Sequence, residues 1–352
     1  MRYSKQTILQ EIGEVGQAKL AEAKVAIVGC GGLGSIVAPY LAGAGIGHLT
    51  LIDADIPDIT NLHRQVVFKE GETSTKSAAL AQYIKALNSN VNVIAIEKMI
   101  SKANISDLLE DHDLVIECTD DMMTKYMVND YCHWKKIPMV YGAIYKFDGY
   151  VSLFENDNDQ SIHLRDVFPE PDLDVPSCSE IGVLNVIAGL IGLLQANEAL
   201  KYLLGIGENL SGKLLTYNVL NNDQLKLKLK KTWNLDIEAM FNSQSYVEVS
   251  CLNVPEISYE DLLSNIENYK VVSILEDNEH VDISISNVRA PMSTINLDDW
   301  SNENQATVFY CMSGKRSAKI VEQLLLKNSM LDIYSLKDGF KGIQNSKLKI
   351  KN

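Results

Sequence analysis

Residues 24–44 read Lys24-Val25-Ala26-Ile27-Val28-Gly29-Cys30-Gly31-Gly32-Leu33-Gly34-Ser35-Ile36-Val37-Ala38-Pro39-Tyr40-Leu41-Ala42-Gly43-Ala44. A short apolar run meets a turn rich in glycine, and a run with helical spacing follows. Strand, glycine turn and helix in this order open a nucleotide-binding α/β unit, because Gly29, Gly31, Gly32 and Gly34 let phosphate approach backbone donors at a helix start. The same G-x-G-x-x-G spacing suits a dehydrogenase, so the turn alone does not decide the reaction.

Working outward, a strand at His48–Ile52 ends at Asp53 and Asp55, and Lys76–Leu87 carries helical apolar spacing. Further strand candidates are Val91–Ile96, Leu114–Cys118 and Pro138–Tyr141, separated by lengths that suit crossover helices. A mainly parallel sheet is expected. A strand at Tyr150–Phe154, a long polar stretch from Glu155 to Ser179 and an apolar helix at Val183–Leu203 come next. Leu214–Val219 and Gln224–Lys230 alternate like strands that close this domain.

The chain has 352 residues, enough for two cores, and 46 acidic against 32 basic residues leave a formal charge of -14. That balance disfavours nonspecific attraction to nucleic acid or anionic lipid. Met1-Arg2-Tyr3-Ser4-Lys5 is not an apolar leader, and the apolar run Val183–Leu194 is short for a membrane span, so a cytoplasmic protein with neither partner is expected. Cysteines at 30, 118, 132, 178, 251 and 311 form no C-x-x-C pair, which argues against a disulfide framework or a cysteine zinc cluster. Cys178 and Cys311 alone lie in polar, turn-forming segments.

Residues placed at one sheet edge separate ATP chemistry from hydride transfer. Asp53 stands where ribose hydroxyls bind, Asn61, Arg64 and Gln65 follow the second strand, Lys76 starts a helix and Asp120 follows the fourth strand. Two cations suit phosphates, and a carboxylate suits Mg2+, which neutralises charge during attack on an α-phosphate.

Over residues 1–235 the sequence resembles the MoeB and ThiF family, bacterial relatives of ubiquitin-activating enzymes. The matching pieces are Arg2-Tyr3-Ser4-Lys5-Gln6, Gly13 with Gly16-Gln17, the glycine turn, Asp53-Ala54-Asp55, Asn61-Leu62-His63-Arg64-Gln65, Lys76, Cys118-Thr119-Asp120-Asp121 and Gln195-Ala196-Asn197-Glu198-Ala199. The resemblance implies a homodimer that adenylates the C-terminal glycine of a small ubiquitin-like sulfur carrier. It implies that Asn61, Arg64 and Lys76 contact phosphates, Asp53 the ribose and Asp120 Mg2+. Lys5 stands where the family usually has an arginine supplied across the dimer, a point charge in place of a planar fork. His163 and Asp166 occupy the first of two usual cysteine pairs, and no pair stands near Trp233–Ile237, so structural zinc is expected to be absent. Cys178 matches the cysteine of the family's crossover loop, a candidate nucleophile.

A second, smaller α/β pattern resembles a rhodanese module over about Ser258–Asn345, and 236–257 is expected to link the two domains, 1–235 and 258–352. Its strands are expected at Val271–Leu275, Ala306–Tyr310 and Leu331–Ser335, and its helix at Ala318–Lys327. Cys311-Met312-Ser313-Gly314-Lys315-Arg316-Ser317 carries the resemblance, with Cys311 as the persulfide candidate. Ser273 and Leu275 stand where Asp and Arg are common, Asn287 where His is frequent and Ile343 near the usual terminal Trp. The expected fold is therefore a Rossmann-like mixed-sheet domain followed by a rhodanese-like α/β domain. Its leading activity is ATP·Mg2+-dependent adenylation of a carrier tail, with a sulfur relay from a persulfide donor through Cys311 and Cys178. The alternatives are adenylation of a peptide or specialised carrier with a free C-terminal carboxylate, and a noncatalytic carrier-binding scaffold.

Overall fold

A computed structural model describes residues 2–171, 182–234, 236–246, 254–276, 279, 288–301, 303, 305–340 and 343. Eight strands form the first sheet: β1 (Lys24–Val28), β2 (His48–Ile52), β3 (Asn92–Ile96), β4 (Leu114–Glu117), β5 (Met139–Tyr145), β6 (Asp148–Phe154), β7 (Lys213–Asn218) and β8 (Asp223–Lys228). Their order is β3-β2-β1-β4-β5-β6-β7-β8. Pairing is parallel from β3 to β5 and antiparallel from β5 to β8. The parallel half follows from crossover helices; in the antiparallel half tight turns join β5 to β6 and β7 to β8, and the long segment carrying helix Asn185–Leu204 joins β6 to β7.

Alternation along β1 sorts its side chains between two layers. Val25 and Ile27 face a core shared with helices Gly34–Ala44, Lys76–Leu87 and Asn185–Leu204, whereas Ala26 and Val28 face helices Ile105–Leu109 and Met122–Lys135. Val28 pairs with Ile52 on one side and Glu117 on the other, so β1, β2 and β4 end together. That register brings the glycine turn, Asp53 and the Thr119–Asp120 segment to one edge. No described helix is long and apolar enough to cross a membrane, because Asn185–Leu204 carries Gln195, Asn197, Glu198 and Lys201.

The first unit continues to Tyr246. Ile237–Ser243 is a helix capped by Asp236, and its Phe241 packs against Tyr131, Trp134 and Tyr246. The stretch 236–257, expected as a linker, therefore begins with a helix docked on the first unit. It ends in β9 (Glu256–Ile257), a strand of the second sheet. There β9 joins β10 (Lys270–Ser273), β11 (Val288–Arg289), β12 (Thr307–Tyr310) and β13 (Ile333–Leu336) in the order β11-β10-β12-β13-β9, every pairing parallel. Its helix runs Lys315–Lys327, earlier than the expected Ala318, because Gly314 at φ 88° ends the cysteine loop and releases the chain into its first turn.

Candidate active site

The glycine turn is built by close approach. Gly29 has φ +90°, and a Cβ on it would lie 2.9 Å from the backbone of Cys118 and Thr119; a Cβ on Gly34 would lie 1.9 Å from Gly29 O. Any larger residue would push the turn off the end of β4, so the glycines seat it against the segment that leads to Asp120.

Around this turn the structure gathers most residues expected there. Asp53 Oδ2 accepts the Cys30 N–H at 2.7 Å and Oδ1 accepts the Asp55 N–H at 2.8 Å, which fixes the carboxylate beside the turn. Burial pushes its pKa up, against the opposing pull of those N–H groups and of Lys76. Lys76 Nζ pairs with Asp55 Oδ2 at 2.8 Å and is nearly buried. The Gln65 amide nitrogen lies 3.4 Å from a Cβ built on Gly31, and the Arg64 stem lies 3.5 Å from one built on Gly32. Asn61 ends a short 3-10 turn and its carbonyl accepts the N–H groups of Arg64 and Gln65, each at 3.0 Å. Asp120 is exposed and accepts no hydrogen bond from another described residue.

These residues fit a nucleotide and its metal on direct grounds. Ser35 Oγ and Gln65 Oε1, at the turn, and Asp121 Oδ1, next to Asp120 at the start of helix Met122–Lys135, are buried without a hydrogen-bond partner. Buried polar atoms are normally satisfied, and a polar substrate would satisfy these. A free carboxylate at Asp120 is the hard oxygen donor that Mg2+ prefers.

Lys5 does not join this site within one chain. Its helix, Ser4–Thr7, is anchored by Gln6 Nε2 donating to Ala44 O at 2.9 Å, at the far end of the helix that begins at Gly34. That helix has 11 residues, about 16 Å of rise. Cys178 lies outside the described residues, as does Asn287.

Sequence reasoning missed the group beneath Asp120. Glu117 is fully buried and pairs with Lys125 Nζ at 2.5 Å. Burial raises its pKa and the lysine opposes that shift. A charge inside the apolar run Leu114–Cys118 was the available signal. The thiols of Cys30, Cys118 and Cys132 are buried and their pKa values are pushed up by that burial, which leaves them protonated and poor nucleophiles.

Where the resemblance implied zinc ligands, hydrogen bonds tie the chain. Asp166 accepts the N–H groups of His163, Thr232 and Trp233, and Lys231 Nζ lies 3.4 Å from its Oδ2. His163 stacks on His133 with ring centroids 4.2 Å apart. Among the described residues no group of three or more His, Cys, Asp or Glu is arranged to hold a metal ion.

In the second unit Cys311 is fully buried, and its Sγ accepts the Gly314 N–H at 3.1 Å and lies 3.7 Å from Ser317 Oγ. Arg316 is held by Glu279 through contacts of 2.6 and 3.0 Å. Ser273, Leu275 and Ile343 are buried.

A Rossmann-like sheet whose glycine turn sits beside Asp53, Arg64, Gln65 and the Thr119–Asp120 segment has the layout of a nucleotide-using α/β enzyme. Residues 3–235 match the model of the ThiF family, and the chain belongs to that family. A Thermus thermophilus sulfur carrier protein adenylyltransferase is 39% identical over 239 residues, 65% of this chain and 87% of that protein. A Mycobacterium tuberculosis probable adenylyltransferase/sulfurtransferase, MoeZ, is 31% identical over 337 residues, 90% of this chain and 86% of the relative. The crystal structure of E. coli MccB with ATP shares the fold at a TM-score of 0.58 and 22% identity, over 67% of this chain and 73% of that one. The chain is an ATP-dependent adenylyltransferase with a rhodanese-like second domain.

Proposed function

We propose that this enzyme adenylates the C-terminal carboxylate of a small ubiquitin-like sulfur-carrier protein, and that its second domain then supplies sulfur. A carboxylate oxygen of the tail attacks the α-phosphorus of ATP, the bond to the bridging oxygen of the β-phosphate breaks, and pyrophosphate leaves. The glycine-turn N–H groups and Asn61, Arg64 and Lys76 hold the phosphates, Gln65 braces the turn, and Asp53 holds the ribose. Lys76 would share its charge between Asp55 and phosphate. Asp120 would hold Mg2+, which would supply positive charge to offset that of the phosphates. Lys5 serves the ATP site of a second copy, since its own lies the length of a helix away. The observation that carries this reading is the shared edge at which Gly29, Asp53, Gln65 and the Thr119–Asp120 segment meet.

In the sulfur step, the terminal sulfur of a Cys311 persulfide attacks the acyl carbon and AMP leaves. Cys178 then attacks the Cys311 sulfur of the acyl disulfide, releasing the carrier thiocarboxylate and leaving a Cys178–Cys311 disulfide. A dithiol reductant restores both thiols, and a persulfide donor reloads Cys311.

The test is ATP–pyrophosphate exchange with candidate carriers. Exchange that needs both Mg2+ and a free tail carboxylate is expected, and amidation of the tail should abolish it. Tight carrier binding without exchange would identify a scaffold instead, and preference for a short peptide would identify a peptide-modifying enzyme.

A further inference from the structure

A buried ion pair is costly, because desolvating both charges offsets most of their attraction. Glu117 and Lys125 form such a pair at 2.5 Å, with side chains 0% and 6% exposed. The geometry points to their use: Glu117 and Lys125 are positioning residues that set how tightly Asp120 holds its divalent cation, without touching that cation.

The argument runs through Thr119, the residue before Asp120. Glu117 Oε1 accepts the Thr119 N–H at 2.7 Å and also its hydroxyl. The other oxygen, Oε2, is held by Lys125, whose Nζ donates in addition to Gly142 O at 2.9 Å on β5. Gln195 closes the ring by donating from Nε2 to Glu117 O at 2.7 Å. A Cβ on Gly142 would lie 2.3 Å from the Gln195 side chain, so Gln195 is wedged in place. Gly29 presses on the same Cys118–Thr119 backbone from the other side.

Asp120 itself has no partner among the described residues, so its aim is set by the backbone that enters it. Thr119, held through both its N–H and its hydroxyl, ties the backbone entering Asp120 to the buried pair. Preorganisation of this kind raises metal affinity, and loss of such supporting groups typically costs about 10- to 100-fold in affinity.

This inference rests on the reading of Asp120 as the metal-holding residue. The experiment measures the Mg2+ concentration for half-maximal, tail-dependent pyrophosphate exchange in the full chain, with thermal unfolding of each variant in parallel. Lys125→Met is expected to raise that concentration by about tenfold or more and to regain most activity at saturating Mg2+. Lys125→Arg, which keeps the charge, should restore a value near that of the unaltered protein. Thr119→Val removes the hydroxyl and keeps the charges; it should raise the concentration severalfold, and it decides the matter if Lys125→Met does not fold. An unchanged half-maximal concentration in a folded Lys125→Met, or in Thr119→Val where Lys125→Met does not fold, overturns the inference. Asp120→Ala separates the two ideas: if it leaves exchange and its Mg2+ dependence intact, the reading of Asp120 fails as well. If it abolishes exchange while the folded test variant keeps its Mg2+ dependence, only the positioning role fails.

Discussion

Asp166 accepts the backbone N–H of Trp233 at 2.6 Å, joining the short helix after β6 to the strand exit after β8. Its other contacts, to Thr232, His163 and Lys231, make one buried carboxylate the knot of this corner. A hydrogen bond to a charged group is worth about 1.5–3 kcal/mol when its loss leaves donors buried. Asp166→Asn is therefore expected to lower the unfolding free energy by about 2 kcal/mol. Chelator should leave thermal unfolding unchanged, and elemental analysis should find no stoichiometric zinc. A melting temperature that drops on chelation would show that a metal holds this corner.

The same corner makes the first unit acid-sensitive. Burial, aided by His133 and Lys231, depresses the His163 pKa from 6.5 to about 3, and burial also lowers that of His133. Burial pushes the Asp166 carboxyl up, but the N–H groups of Trp233, Thr232 and His163 outweigh it and hold its pKa below 3.8. Between pH 6.5 and about 3 the unfolded chain binds a proton at position 163 that the folded chain excludes. Stability should thus fall as pH drops below 6.5, and fall further once unfolded carboxylates protonate near 3.8. His163→Asn should flatten the first part of that decline in urea titrations at pH 5 to 7; an unaltered slope would remove His163 from the account.

Asp120→Ala should lose about 100- to 1,000-fold in tail-dependent exchange while its circular dichroism and unfolding midpoint stay near those of the parent. The side chain is exposed and has no partner among the described residues, so its deletion removes charge and little packing. Equal exchange at saturating Mg2+ would sink the assignment.

Much of this site was legible because glycine, strand ends and charge leave strong marks in sequence. Gly29–Gly34 demand a turn, and the run up to Ile52 puts Asp53 at a strand end. Other parts were hidden for physical reasons. Glu117 sits inside an apolar strand and its partner Lys125 lies on a helix, so neither periodicity nor local spacing pairs them. The segment after Trp233 reads as a linker because its helix, Ile237–Ser243, has only 7 residues and buries Phe241 alone, too short for a repeating apolar pattern. Lys315-Arg316-Ser317 read as loop because a polar first turn resembles one, while Gly314 decides where the helix starts.

Lys5 gives a test of assembly. Gln6 ties its helix to Ala44, at the opposite end of the Gly34–Ala44 helix from the glycine turn. A chain with Lys5→Ala keeps a sound Asp120 edge but offers its partner no cation, and a chain with Asp120→Ala does the reverse. Mixed dimers purified through two different tags should recover exchange that neither altered homodimer has. Absence of recovery in a mixture proven to contain mixed dimers would place Lys5 outside the partner's site.

Cys311 should matter for sulfur transfer and not for adenylation. Its loop has the features a persulfide needs: the sulfur lies at the end of β12, accepts the Gly314 N–H at 3.1 Å and approaches Ser317 Oγ at 3.7 Å. Two features limit it. The sulfur is fully buried, and Arg316 is committed to Glu279, so the guanidinium charge is partly neutralised before any sulfur arrives. The buried Leu275 also leaves no second arginine where rhodanese modules commonly have one. Cys311→Ser replaces sulfur by a smaller acceptor of similar shape, so the fold and carrier-dependent exchange should persist. Thiocarboxylate formed from a persulfide donor should fall to background, since a serine oxygen cannot carry sulfane sulfur. Mass spectrometry of the carrier distinguishes the outcomes, because replacing a terminal oxygen by sulfur changes its mass and pyrophosphate exchange does not. If Cys311→Ser makes thiocarboxylate at the parent's rate, sulfur comes from elsewhere, and the second domain serves to dock the carrier or its donor.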